Sequence, residues 1–90
     1  MLKKEMLFLN VQRRINMIDN FIALLADALE KEKSTVAKND EFRNYEEWDS
    51  LAVLSLIAMI KQNYNITIPR KDFDELNTVS ELFEYIQAHR

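Results

Sequence analysis

The chain has 90 residues, of which 48% are apolar and 30% charged, with no glycine, no cysteine and a single proline, Pro69. Ninety residues make one small domain, too little to enclose a deep substrate cleft, and the lack of glycine turns argues against a sheet and for an all-helical unit. Without cysteine there is no disulfide, thiolate metal site or thiol nucleophile, and His89 alone cannot cage a metal, so no metal site is expected. The net charge is −3, but residues 1–16 hold four bases against one acid, a net +3, which leaves −6 for residues 17–90. That acidic body repels nucleic acid phosphates and suits basic partner surfaces. No run approaches the roughly 18 apolar residues of a membrane span and no secretory leader is legible, so a cytoplasmic protein is expected.

Residues 1–16 read as an N-terminal extension ahead of a 17–90 domain: a disordered tail, or the product of a start codon upstream of Met17. Leu2, Met6, Leu9 and Arg13 also fall at helical spacing, which leaves open a short amphipathic helix. Residues 17–32, "MIDNFIALLADALEKE", place Ile18, Phe21, Ile22, Leu25 and Leu29 at spacings of three and four, which predicts a first amphipathic helix over that span. The following "KSTVAKNDEFRNYEEWD" has no period. Val36 and Phe42 stand out as apolar anchors able to pin an ordered loop across a core.

The helical period returns from Ser50 to about Tyr64, with Val53, Leu56, Ile57, Ile60 and Tyr64 on a stripe expected to face the core and Leu51, Leu54 and Ala58 on a neighbouring stripe. "NITIP" breaks the pattern because the residue before a proline is pushed away from helical angles, with Ile66 and Ile68 expected to point inward. "RKDFDEL" allows one or two helical turns carrying Phe73 and Leu76. "TVSELFEYIQAH" predicts a last helix with a Thr78 to Glu81 capping box ahead of Val79, Leu82, Phe83 and Ile86. The expected architecture is a small four-helix bundle, three longer helices and a short third one.

Asp49 and Ser50 open the second helix, and both types are favoured caps, so the pair alone favours a structural reading. A hydrolytic serine needs a base within reach and an oxyanion hole, and this chain has one terminal histidine and no glycine elbow. What remains is an acceptor hydroxyl. A phosphate ester at a helix N-terminus would meet free N–H groups and the positive end of the dipole.

"WDSLAVLSLIAMI" resembles the D-S-L modification motif of acyl carrier proteins and the helix after it. Val36 and Phe42 stand 14 and 8 residues before the serine, as that family's loop anchors do, and "ITIPRKDFDELNTVSELFEYIQAH" is similar to its closing pattern. The resemblance runs from about Ile18 to His89. It implies that Ser50 accepts 4′-phosphopantetheine from coenzyme A through a Mg²⁺-dependent phosphopantetheinyl transferase, and that Asp49 helps the transferase hold its metal and present the serine. It also implies a monomeric, non-catalytic carrier of acyl thioesters, served by an acyl-loading ligase or acyltransferase and by downstream synthase enzymes. Leu51, Leu54 and Ala58 match the family's partner-facing positions, and Ile68, Phe73, Leu76 and Ile86 match residues lining the bundle or an acyl pocket.

Two departures stand beside the resemblance. The second helix has no acid between Leu51 and Asn65, where carriers of fatty acid synthesis usually have several, and Glu47 and Trp48 fill a space where the family usually has glycine. The first shifts recognition from electrostatic steering toward apolar contact and suggests a dedicated carrier of a specialised pathway. Trp48 reads either as part of a partner surface or as an indole half-buried against the loop. An aminoacyl or peptidyl carrier and an unmodified helical interaction module stay open as alternatives.

Overall fold

A computed structural model describes residues 17–90. The expectations for residues 1–16 lie outside the described residues. Helix α1 covers 17–28, α2 spans Ser50–Tyr64, α3 Arg70–Glu75 and α4 Val79–His89, with two 3-10 turns, Lys33–Thr35 and Phe42–Asn44, in the long loop between α1 and α2. Among the described residues there is no strand, and one isolated bridge joins Glu41 to Thr78.

α1 is shorter than its apolar pattern predicts. It stops at residue 28, where the chain turns through Glu30 at φ 57°. The N–H of Lys31 donates to the Ala26 carbonyl at 2.9 Å and that of Glu30 to Asp27 at 3.1 Å, a Schellman closure with glutamate in the left-handed position usually given to glycine. The helix buries Phe21, Ile22, Leu25 and Ala26, Leu29 is buried just beyond it, and Ile18 is half-buried at the rim.

α2 ends at Asn65, left-handed at φ 56°, which asparagine tolerates. Its buried residues are Ala52, Leu56, Met59 and Ile60, while Val53, Ile57 and Tyr64 are half-buried. The inward stripe is therefore turned from the expected one: Ala52 and Met59 join the packed face while Val53 and Ile57 sit at its edge. Ile66 and Ile68 alternate inward along the extended link to Pro69, and Phe73 enters the core from α3. Phe21 holds three helices together, with its ring 6.0 Å from Tyr64 of α2 and 5.9 Å from Phe83 of α4.

The loop is docked on the start of α4. The N–H groups of Val79 and Ser80, which no helical carbonyl can satisfy, donate to the carbonyls of Asp40 (3.1 Å) and Lys38 (2.8 Å). The capping box completes that turn: Glu81 N–H donates to Thr78 Oγ1 at 3.1 Å, and Glu81 Oε1 accepts from the N–H groups of Thr78 and Asn77. Val36 and Phe42 are buried, Phe42 completely, so the loop crosses the core as a packed layer.

Candidate functional site

Ser50 is the first residue of α2. Its side chain is exposed, and its hydroxyl makes no hydrogen bond among the described residues. It sits there because Asp49 caps the helix. The Asp49 backbone is extended (φ −152°, ψ −175°), its Oδ1 accepts from the Ala52 N–H at 2.7 Å, and its carbonyl accepts from Val53 at 3.1 Å. With that carboxylate turned to Ala52, the N–H groups of Ser50 and Leu51 remain as first-turn donors that no helical carbonyl reaches. An oxygen atom on Ser50 thus stands at the positive end of a fifteen-residue helix, facing solvent.

The segment leading to Ser50 is held on two sides. Arg43 donates to the carbonyl of Phe73 at 2.6 Å, to that of Leu76 and to Asn77 Oδ1, so its guanidinium closes the C-terminal end of α3. The same group lies over the rings of Phe42 and Phe73, 4.8 and 5.0 Å from their centroids. On the other side, the Lys31 ammonium meets Glu47 at 3.3 Å and the face of Tyr45 at 3.6 Å, and the Tyr45 hydroxyl donates to Asp40 at 2.8 Å. The Ala37 N–H and then the Tyr45 hydroxyl hold the Asp40 carboxyl below its usual range. Burial first, then Asp40, pushes the Tyr45 phenol well above its ordinary value. Glu47 is held low by its own backbone N–H and then by Lys31.

The residues singled out in the sequence fall on two faces. Leu51 and Leu54 are 71% and 65% exposed and Ala58 is exposed, so these three form an apolar strip running along α2 away from Ser50. Trp48 is half-buried, with its ring 5.2 Å from Phe42 and 6.4 Å from Phe73. Ile68, Phe73 and Ile86 are buried in the core and Leu76 is half-buried. Between the end of α1 and the start of α2 a cleft of about 270 Å³ adjoins the serine, lined in part by Glu30, Glu47, Asp49 and Ser55. Lys61 is the one charged residue of α2, so charge near Ser50 comes from the loop and from the end of α1.

Sequence reasoning missed Arg43 and Lys31. Arg43 follows a core anchor in a loop without periodicity, and Lys31 pairs across 16 residues, so neither role carries a local signal. No helix among the described residues is long and apolar enough to cross a membrane.

Comparison with known proteins bears on this geometry. The family described as a phosphopantetheine attachment site matches residues 19–86. An acyl carrier protein of Treponema pallidum (strain Nichols) is 33% identical over 66 residues, 73% of this chain and 85% of that protein. One from Rickettsia canadensis (strain McKiel) is 32% identical over 69 residues, 77% of this chain and 80% of that protein. The acyl carrier protein of Lactobacillus acidophilus is 27% identical over 67 residues, covering 74% of this chain and 84% of that protein.

Proposed function

Since the chain belongs to the phosphopantetheine-attachment family of acyl carrier proteins, whose prosthetic group is a covalently held 4′-phosphopantetheine, we propose that Ser50 is where that group is attached. The observation that carries the reading is the exposed Ser50 hydroxyl, without a hydrogen-bond partner among the described residues, at the first position of α2, inside the matched segment and beside first-turn N–H donors. The donor set fits a phosphodiester: backbone N–H groups of Ser50 and Leu51 and the positive helix end favour the anion. When attached, the arm supplies the thiol on which cargo is held as a thioester.

The chain's own contribution is presentation. No described residue stands as a base against the Ser50 hydroxyl, so its deprotonation falls to the modifying enzyme. Asp49 keeps one oxygen on Ala52 and leaves the other available to the transferase's metal. Loading and unloading enzymes meet the strip of Leu51, Leu54 and Ala58. With Lys61 the lone charge on α2, that contact is read through apolar complementarity more than through a long-range field. Trp48 lends the rim of its half-buried ring to the same surface. The resulting function is a dedicated, non-catalytic cytoplasmic carrier, acting as a monomer in a specialised biosynthetic pathway alongside its own loading enzyme.

Incubation with coenzyme A, Mg²⁺ and a broad-specificity phosphopantetheinyl transferase should add about 340 Da, localised to Ser50 by peptide mapping. The Ser50→Ala protein should gain nothing. A chain that stays unmodified under conditions that convert an ordinary carrier would be a helical interaction module and no carrier. Turnover of the holo protein by fatty acid synthase enzymes at ordinary rates would refute the specialised pathway alone.

A further inference from the structure

Trp48 stands two residues before Ser50, and its indole completes a layer of three aromatic rings. It meets Phe42 edge-on at 5.2 Å and lies 15° from parallel to Phe73 at 6.4 Å, while Phe42 and Phe73 are 5.9 Å apart. Phe42 and Phe73 are 0% and 3% exposed, so the layer is continuous with the core. Arg43 covers two of the rings and donates to the last carbonyls of α3, which ties α3 to the loop by hydrogen bonds as well as by packing. On this flank the space between the segment leading into Ser50 and α3 is filled by side chains. The opposite flank is the cleft beside the end of α1, where apolar Ala28, Leu29 and Leu51 share the lining with the carboxylates of Glu30, Glu47 and Asp49.

An alkyl tail tethered at Ser50 therefore faces two poor routes inward. It must displace close-packed rings, whose contacts have no replacement, or lie in the cleft, where it covers Ala28 and Leu29 but also strips water from the carboxylates of Glu30, Glu47 and Asp49. Resting on the attachment reading above, we propose that this carrier keeps its cargo outside the bundle. The Trp48, Phe42 and Phe73 layer, locked by Arg43, bars alkyl chains from the core, and the protein serves short or polar acyl groups handed directly to a partner.

Burying a tail would stabilise the folded state in proportion to the methylenes removed from water, which makes chain length the diagnostic variable. The full chain is loaded from acetyl, butyryl, octanoyl and dodecanoyl coenzyme A with a phosphopantetheinyl transferase, each product is confirmed by intact mass, and each is melted. Melting temperatures should agree within about 1 °C across the series. Emission from Trp48, the one tryptophan in the chain, should not change with cargo. In Trp48→Ala, which opens the layer, the melting temperature should climb with chain length. A climb in the unsubstituted protein, or an emission shift on dodecanoyl loading, would overturn the inference and leave the attachment reading standing. Absence of any mass gain at Ser50 would overturn both. The series on the unsubstituted protein decides the matter even where Trp48→Ala does not fold.

Discussion

Asp49 has two separable duties, and substituting it in two ways tells them apart. Its Oδ1 satisfies the N–H of Ala52, a buried residue, at 2.7 Å, and it is the side-chain cap of the helix that contributes Ala52, Leu56, Met59 and Ile60 to the core. Asp49→Ala removes the acceptor, at roughly 1 kcal/mol, and removes a negative charge from the positive helix end, worth about 0.3–1 kcal/mol more. In a domain of this size each kcal/mol moves the melting temperature by about 4–8 °C, so a fall of about 5–15 °C is expected. Asp49→Asn keeps an oxygen on Ala52 and loses only the charge, and should melt about 1–8 °C below the parent. Thermal and urea denaturation measure the cap, and the initial rate of mass gain with coenzyme A and transferase measures the second duty. Both variants should be modified slowly, because neither offers a carboxylate to the transferase metal. Parental modification rates in Asp49→Asn would remove Asp49 from transferase recognition. Parental melting in Asp49→Ala would refute the capping energetics.

Three further outcomes follow from the packing and titration chemistry. Tyr45, Tyr64 and Tyr85 are all raised, Tyr45 and Tyr64 chiefly by burial and Tyr85 by its hydrogen bond to Asp72. Their contribution to stability is complete below the unfolded phenol value of about 10 and is lost as pH rises through the folded values, so phenolate absorbance should lag a tyrosine standard until the protein unfolds. Asp40, held low in the folded state, contributes stability above the unfolded carboxyl value of about 4 that is lost as pH falls, and Asp40→Asn should flatten the acid limb of melting temperature against pH. Thr78→Ala should cost roughly 1 kcal/mol in urea denaturation, and adding Glu81→Ala should cost less than the sum of the two, since they share one capping box.

The elements that were legible are those whose residues report to their immediate neighbours. α2 begins at Ser50 and ends at Tyr64 where period and cap place it, and the Thr78 to Glu81 box is present with both bonds. Val36, Phe42, Ile66 and Ile68 are inward as isolated apolar residues in polar surroundings should be. The end of α1 was hidden because the left-handed turn that stops it is made by Glu30, in a chain with no glycine to mark it. The facing of α2 was hidden because that helix is apolar nearly all round, so its own pattern leaves the inward side to be chosen by the elements packed against it. Around Ser50 the serine and its cap were readable, whereas Arg43 on α3 and Lys31 on Glu47 are long-range pairs that exist only once the loop is folded.

The carbonyls of Lys38 and Asp40 that receive the first amides of α4 make two distant stretches of chain open and close as one. Helix ends ordinarily fray, and their leading amides exchange with solvent quickly. Val79 and Ser80 should instead exchange at the pace of the loop, slowly while it is docked and together with Ala37 and Asn44 when it lifts. Two amides on the last helix thereby become a clock for the segment that delivers Ser50, readable by hydrogen exchange at sites about 30 residues beyond it in sequence.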